Sequence, residues 1–132
     1  MRYIAEMPPH GVRLCHLRTW TEGCGYGFSM EAERGRPGHF ITRVDVGSPA
    51  EAVGLRVGDR VVEVNGDNVD EAAHQNVVDR VTAASDQLVL LVVDPDADKF
   101  FSEQNVAITA SLDCVETITC PNNEPTASIG GR

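Results

Sequence analysis

The residues able to do chemistry in this sequence are a closely spaced glycine pair, four histidines, four cysteines and a surplus of carboxylates. The glycines stand in Gly25-Tyr26-Gly27-Phe28. Glycine accepts backbone dihedrals that other residues resist, so successive N–H groups in this stretch can turn toward one point. Such a concavity is an anion site that needs no cationic side chain, and it suits the carboxylate at the end of a peptide. Taken alone, a G-x-G-x pattern favours a plain turn ahead of a strand.

Covalent and phosphate chemistry find less support. Cys24 and His74 could form a nucleophile–base pair. No motif supplies a third residue to orient them, and Cys24 reads more simply as a small residue in a turn. The carboxylates of Asp59, Glu63, Asp67, Asp70 and Glu71 are spaced like solvated strand ends and a helix start, where they complement the dipole. No Lys-Ser or Lys-Thr pair follows the glycines, which lead into a strand, so a phosphate cradle does not fit. His10, His16, His39 and His74 lack ligand spacing, and Cys15, Cys24, Cys114 and Cys120 contain no Cys-x-x-Cys. No catalytic residue, metal or cofactor is therefore expected, and the cysteines read as free thiols. A bond between Cys114 and Cys120 is expected only as an artefact of oxidising handling.

Composition narrows the partners. With 11 basic and 20 acidic residues, the net charge of −9 argues against nucleic acid or anionic lipid, leaving only a local basic patch at Arg34 and Arg36. No apolar stretch approaches the roughly 20 residues of a membrane helix, and the start of the chain lacks the pattern of a secretion signal. The expectation is a soluble, intracellular protein with no direct membrane insertion. At 132 residues, 42% hydrophobic but only 5% aromatic, the chain fits one domain with a Val, Leu, Ile and Ala core plus an appendage.

The elements that must hold these groups follow from periodicity, and no internal repeat interrupts them. Residues 1–11, with Pro8-Pro9-His10-Gly11, read as an N-terminal linker. Val12 to Thr19 reads as an edge strand. Tyr26, Phe28 and Met30 alternate with Gly27, Ser29 and Glu31 in the period of a half-buried strand. The polar turn Glu33 to Gly38 then makes a hairpin with a strand over His39 to Val44. Ser48-Pro49 starts a one-turn helix that Gly54 stops. Arg60 to Val64 reads as a buried strand, and Asn65-Gly66 as a tight reversal. Glu71 to Ala84 is a helix with His74, Val77, Val78 and Val81 on one stripe. The aliphatic run Gln87 to Val93 is a strand covered on both faces. A short helix over Asp96 to Gln104 follows, and Asn105 to Arg132 reads as a flexible tail. A histidine on an apolar stripe is either a core residue satisfied by a carbonyl or a groove-facing ring that bonds a hydroxyl of a bound chain. The neighbouring carboxylate loop favours the second.

At this point a resemblance carries further than the residues alone. Gly25-Tyr26-Gly27-Phe28, Ser48-Pro49-Ala50-Glu51-Ala52 with Gly54-Leu55, Gly58-Asp59-Arg60-Val61, Val64-Asn65-Gly66 and His74-x-x-Val77-Val78 resemble, in order, the signatures of PDZ domains. The likeness runs from about Arg13 to Asp94. Arg13-Leu14-Cys15, Glu33-Arg34-Gly35, Val62-Glu63-Val64-Asn65-Gly66 and Leu90-Leu91-Val92-Val93-Asp94 are similar to the sodium/hydrogen exchanger regulatory factor (NHERF) scaffolds.

The resemblance implies a mainly β, α+β fold: a PDZ-like, partly open antiparallel β-barrel of five or six strands capped by two α-helices. The domain would span 12–95, and 96–132 would be a C-terminal extension. The function implied is an adaptor or scaffold domain that binds class I C-terminal peptides, Ser/Thr-x-hydrophobic, by strand addition. The partners would be the tails of membrane transporters, channels or receptors, reached from the cytoplasmic side of the plasma membrane. The N–H groups of the Gly25, Tyr26, Gly27 and Phe28 loop would hold the terminal carboxylate. Tyr26, Phe28, Met30, Val78 and Val81 would line the pocket for the last side chain. His74 would select Ser or Thr two residues before the end. Ser29, Thr42 and Asp45 would form the rim, with Asp45 facing a basic penultimate residue. Three features depart from the relatives: a longer loop over 19–24 that leaves Arg18 an uncertain carboxylate support, and Thr42 and Thr82 where relatives can carry arginine. A regulatory domain of a protease and a dimerisation module with weak self-association are the alternative classes.

Overall fold

Alternating and continuous aliphatic runs build one sheet. The structure is a computed structural model and describes residues 11–20, 25–33, 36–84, 86–112 and 114–121. The linker expected over 1–10, the loop 21–24 with Cys24, the turn at 34–35 with Arg34, and 122–132 lie outside the described residues. The elements in order are β1 (Val12–Arg18), β2 (Phe28–Glu33), β3 (Arg36–Val44), α1 (Pro49–Ala52), β4 (Arg60–Val64), β5 (Asp67–Asn68), α2 (His74–Ala83), β6 (Gln87–Val93), α3 (Pro95–Glu103) and β7 (Glu116–Thr119). The sheet runs β2-β3-β4-β6-β1-β7, with β5 paired to β4, and it is not closed. All pairings are antiparallel except β1 with β7. This is the mostly β, mixed fold read from the sequence, with the added strand and helix coming from the segment after 95.

Two clusters of side chains hold it. One, under α1 and α2, contains Leu17, Tyr26, Ile41, Val53, Val61, Val77, Leu88 and Leu90. The other, on the opposite face of β1 and β6, contains Val12, Val62, Leu91 and Val93 under Ala97 and Phe101 of α3. Period-two alternation sends successive residues of β1 and β6 to opposite faces, which is why β6 is apolar throughout. Turn chemistry behaves as the residues dictate. Asn65 and Gly66 sit at φ 50° and 89°, the pair of left-handed residues a two-residue reversal requires. Ser48 Oγ caps α1 through the Glu51 N–H at 3.2 Å, and Asp94 caps α3 through the Ala97 N–H at 2.8 Å.

Four expectations are corrected. Strand β1 is not an edge, because β7 pairs along it with Arg13 opposite Glu116 and His16 opposite Thr119. The run from Asn105 is accordingly not without structure over 106–121: it carries β7 and the buried Ile108 and Cys120. The long helix begins at His74 and not at Glu71. Asn68 Oδ1 accepts the Asp70 N–H at 2.8 Å, and the Ala72 N–H donates to the Val69 carbonyl at 3.1 Å, so 70–73 is spent in a turn. Finally, Asp59 is no solvated strand end: it is 1% exposed and paired with Arg13, itself 2% exposed.

Removing everything after Gln104 is therefore expected to lower stability. Burial of an isoleucine such as Ile108 contributes about 1.5–3 kcal/mol, and the loss of β7 uncovers β1. Urea unfolding of the chain ending at Gln104 against the full chain checks this, and an unchanged midpoint would show that 106–121 is only draped on the sheet.

Candidate functional site

The glycine loop is shaped by its carbonyls. The Ala50 N–H donates to the Tyr26 carbonyl at 3.0 Å and the Asp45 N–H to the Gly27 carbonyl at 2.8 Å, tying both to the start of α1 and the end of β3. With Gly25 at φ 67° and Gly27 at φ 89°, the backbone turns sharply into β2. Among the described residues no backbone bond outside the regular elements engages the N–H groups of Tyr26 and Gly27. Consecutive N–H groups at a glycine turn beside a strand start are the kind of backbone that can receive an anion.

Among the described residues, strand β2 is an edge of the sheet and pairs with β3 alone, and its register breaks between Ser29 and Met30 and again between Ala32 and Glu33. Such an edge offers backbone donors and acceptors for a further strand. Helix α2 lies along it, pinned at both ends. The Tyr26 hydroxyl donates to the Ala84 carbonyl at the C-terminal cap. At the other end, His74 Nδ1 lies 3.0 Å from His39 Nδ1, with the rings stacked at 5.2 Å between centroids. Because Tyr26 precedes β2 and His39 sits in β3 opposite Ala32, the helix runs antiparallel to β2.

The side chains expected to line a pocket divide by burial. Tyr26 is 6% exposed and belongs to the core, and burial with the nearby Asp86 charge pushes its phenol above the ordinary range. Phe28, Met30 and Val81 are half-buried and pack against the core, and Val78 is half-buried on the helix. Val77, on the same sequence stripe, points fully inward. His74 is half-buried. On the rim, Ser29 is half-buried and Thr42 exposed, and Asp45 is exposed and already accepts from Arg43 Nε at 2.9 Å. Thr82 is exposed, and Arg18 is half-buried at the end of β1 opposite Gln87.

Sequence reasoning did not connect His39 to His74. The two are 35 residues apart, and only the pairing of β3 between β2 and β4 brings them together. Among the described residues Cys15, Cys114 and Cys120 are free thiols, and burial pushes the Cys15 thiol up to about 12, far from the thiolate a reaction would need. Among the described residues, no helix is long and apolar enough to cross a membrane.

Residues 16–93 match the family profile of the PDZ domain. The mouse Na(+)/H(+) exchange regulatory cofactor NHE-RF2 is 47% identical over 104 residues, covering 77% of this chain and 30% of the relative. The chicken cofactor NHE-RF1 is 46% identical over 91 residues, covering 69% and 27%. The Caenorhabditis elegans cofactor-like protein nrfl-1 is 37% identical over 112 residues, covering 85% and 24%. The chain thus spans about a quarter to a third of the length of these relatives. Among solved structures, the second PDZ domain of Dlg1 from the choanoflagellate Monosiga brevicollis has a TM-score of 0.55 and 30% identity, covering 63% of this chain and 98% of that one. The fourth PDZ domain of MUPP1 has a TM-score of 0.56 and 31% identity, covering 63% and 74%.

Proposed function

Because this chain belongs to the PDZ domain family and is homologous to the Na(+)/H(+) exchange regulatory cofactors, we propose that it is a non-catalytic scaffold domain that takes a partner's C-terminus as an added strand on β2. The peptide-binding unit is assigned to 12–95, with α3 and β7 packed on its far side. The N–H groups of Tyr26, Gly27 and Phe28 hold the terminal carboxylate. Phe28, Met30, Val78 and Val81 receive the last side chain over a floor closed by Tyr26. His74 bonds a Ser or Thr hydroxyl two residues before the end. Ser29, Thr42 and Asp45 form the rim, where Arg43 competes with a basic ligand residue for Asp45. The partners are the tails of membrane transporters, channels or receptors, which would hold the protein at the cytoplasmic face of the plasma membrane.

The observation that supports this reading is the loop itself: two positive-φ glycines and carbonyls tied back to α1 and β3, at the edge strand of the described sheet. A peptide ending Thr-x-Leu, its C-terminal amide and its Thr→Val analogue test it by calorimetry. Amidation removes charge-assisted bonds, and the expected loss is about 1.5–3 kcal/mol. The Val analogue should lose about 0.5–1.5 kcal/mol, one net hydrogen bond. Equal affinity of acid and amide would sink the loop assignment, and equal affinity of the Thr and Val peptides would sink the role of His74.

A further inference from the structure

The contacts of the His39 and His74 rings restrict where their protons can sit. His39 is 3% exposed, and its Nε2 lies 3.2 Å from the Val69 carbonyl. A carbonyl oxygen can only accept, so the His39 Nε2 carries a hydrogen, and in a neutral ring Nδ1 is then a bare lone pair. The 3.0 Å contact between the two Nδ1 atoms is a hydrogen bond only if His74 supplies the proton. That leaves the neutral His74 ring with Nδ1–H donating to His39 and Nε2 bare. His74 is half-buried while His39 is covered, so of the two rings His74 is the one a ligand can reach, and its Nδ1 is already engaged. We propose that His39 is a positioning residue for ligand choice: it locks His74 in the Nδ1–H tautomer, so the groove presents an acceptor and selects a hydrogen-bond donor two residues before the peptide's end.

This deepens the class I reading and rests on it for the ligand's position, but it adds a specific exclusion. A bare Nε2 accepts from a Thr or Ser hydroxyl and opposes a carboxylate, which has no hydrogen to give at neutral pH. Without His39, the His74 ring is free to carry its proton on Nε2. It could then donate to a carboxylate as well as to a hydroxyl, and the discrimination between them would shrink. Glutamine at position 39 can imitate histidine, because its carbonyl accepts from His74 Nδ1–H while its amide donates to the Val69 carbonyl.

Two measurements decide the matter. Long-range proton–nitrogen NMR of the free 132-residue chain at neutral pH should show His74 as the Nδ1–H tautomer and His39 as the Nε2–H tautomer; His74 protonated on Nε2 would overturn the proposal without any peptide being present. Calorimetry then uses three peptides that differ only two residues before the end, with Thr, Val or Asp. The natural protein should bind Thr about three- to tenfold more tightly than Val, the size of one net hydrogen bond, and Asp no better than Val. His39→Leu should narrow the Thr to Asp ratio by at least threefold, and His39→Gln should restore it. An unchanged ratio in a folded His39→Leu protein overturns the proposal. Should the leucine variant not fold, His39→Gln with the natural ratio and an Nδ1–H His74 supports it, and His39→Gln with an Nε2–H His74 overturns it. If the natural protein does not distinguish Thr from Val, the class I reading fails, while the NMR result still judges the tautomer.

Discussion

Alanine at Gly27 is expected to cost about 2–4 kcal/mol of stability and to abolish most peptide binding, whereas alanine at Gly25 should cost about 1 kcal/mol. Both glycines have positive φ, but their surroundings differ. A Cβ on Gly25 would meet nothing within 4 Å. A Cβ on Gly27 would lie 2.2 Å from Ser48 Cβ and 2.5 Å from Ser48 Oγ. Nor can Ser48 swing aside freely. Its hydroxyl donates to the Asp45 carbonyl at 2.7 Å and accepts the Glu51 N–H at 3.2 Å, and losing that cap costs about 1 kcal/mol by itself. The glycine whose positive φ turns the chain into β2 is also the one that lets the loop sit on the start of α1. Urea unfolding and peptide calorimetry on the two variants check this. A second comparison isolates the contact: glycine at 48 still caps tolerably, so Ser48→Gly should return part of what Gly27→Ala loses, a coupling read from the double-mutant cycle. Equal losses at positions 25 and 27 would mean that backbone strain alone governs the loop.

That contact shows where sequence reading stops. From the sequence, only dihedral preference and crowding of a ligand can be argued at Gly27. The approach of Ser48, 21 positions along, is a tertiary fact. Local chemistry was legible: the caps of α1 and α3, the Asn65-Gly66 reversal and the two-faced β6 follow from residue types and spacing. The start of α2 was not, because Asn68 competes with the helix for the backbone of Asp70. A periodic stripe also cannot separate Val77, which is fully buried, from Val78 and Val81, which are half-buried, without knowing where the sheet lies. Strand β7 escaped notice for a similar reason. Its Glu-Thr-Ile-Thr run is polar and short, and it is a strand because β1 offers a free edge, a condition set a hundred residues earlier. Of the candidate site, the glycine loop, Met30, Val81 and His74 are named by motifs and spacing, while the contact of His39 with His74 follows only from strand pairing.

Arg13→Met should be the most damaging change outside the groove, and its cost should grow with pH. The Arg13 guanidinium donates to Asp59 Oδ2, which also accepts the Arg56 N–H at 2.9 Å, so the pair joins β1 to the turn before β4. Burial pushes the Asp59 carboxyl above its ordinary range, and the Asp94 charge adds to this; Arg13 and the Arg56 amide pull it back. Methionine keeps much of arginine's length and takes away the strongest pull, so the folded-state value rises further. A carboxyl whose folded value lies above its unfolded value stabilises the fold fully below the unfolded value and loses that contribution as pH rises through the folded one. The variant should therefore lie close to the natural protein near pH ~4, about the unfolded value of an aspartate, and fall behind by about 3–5 kcal/mol at neutral pH, the cost of breaking a buried pair. Urea midpoints of both proteins across that range measure the gap. Adding Asp59→Asn removes the titrating group but keeps an acceptor for Arg56, so the double variant should lose the pH slope and regain part of the stability. A gap of the same size at every pH would assign the loss to packing around residue 13 and not to the charge it carries.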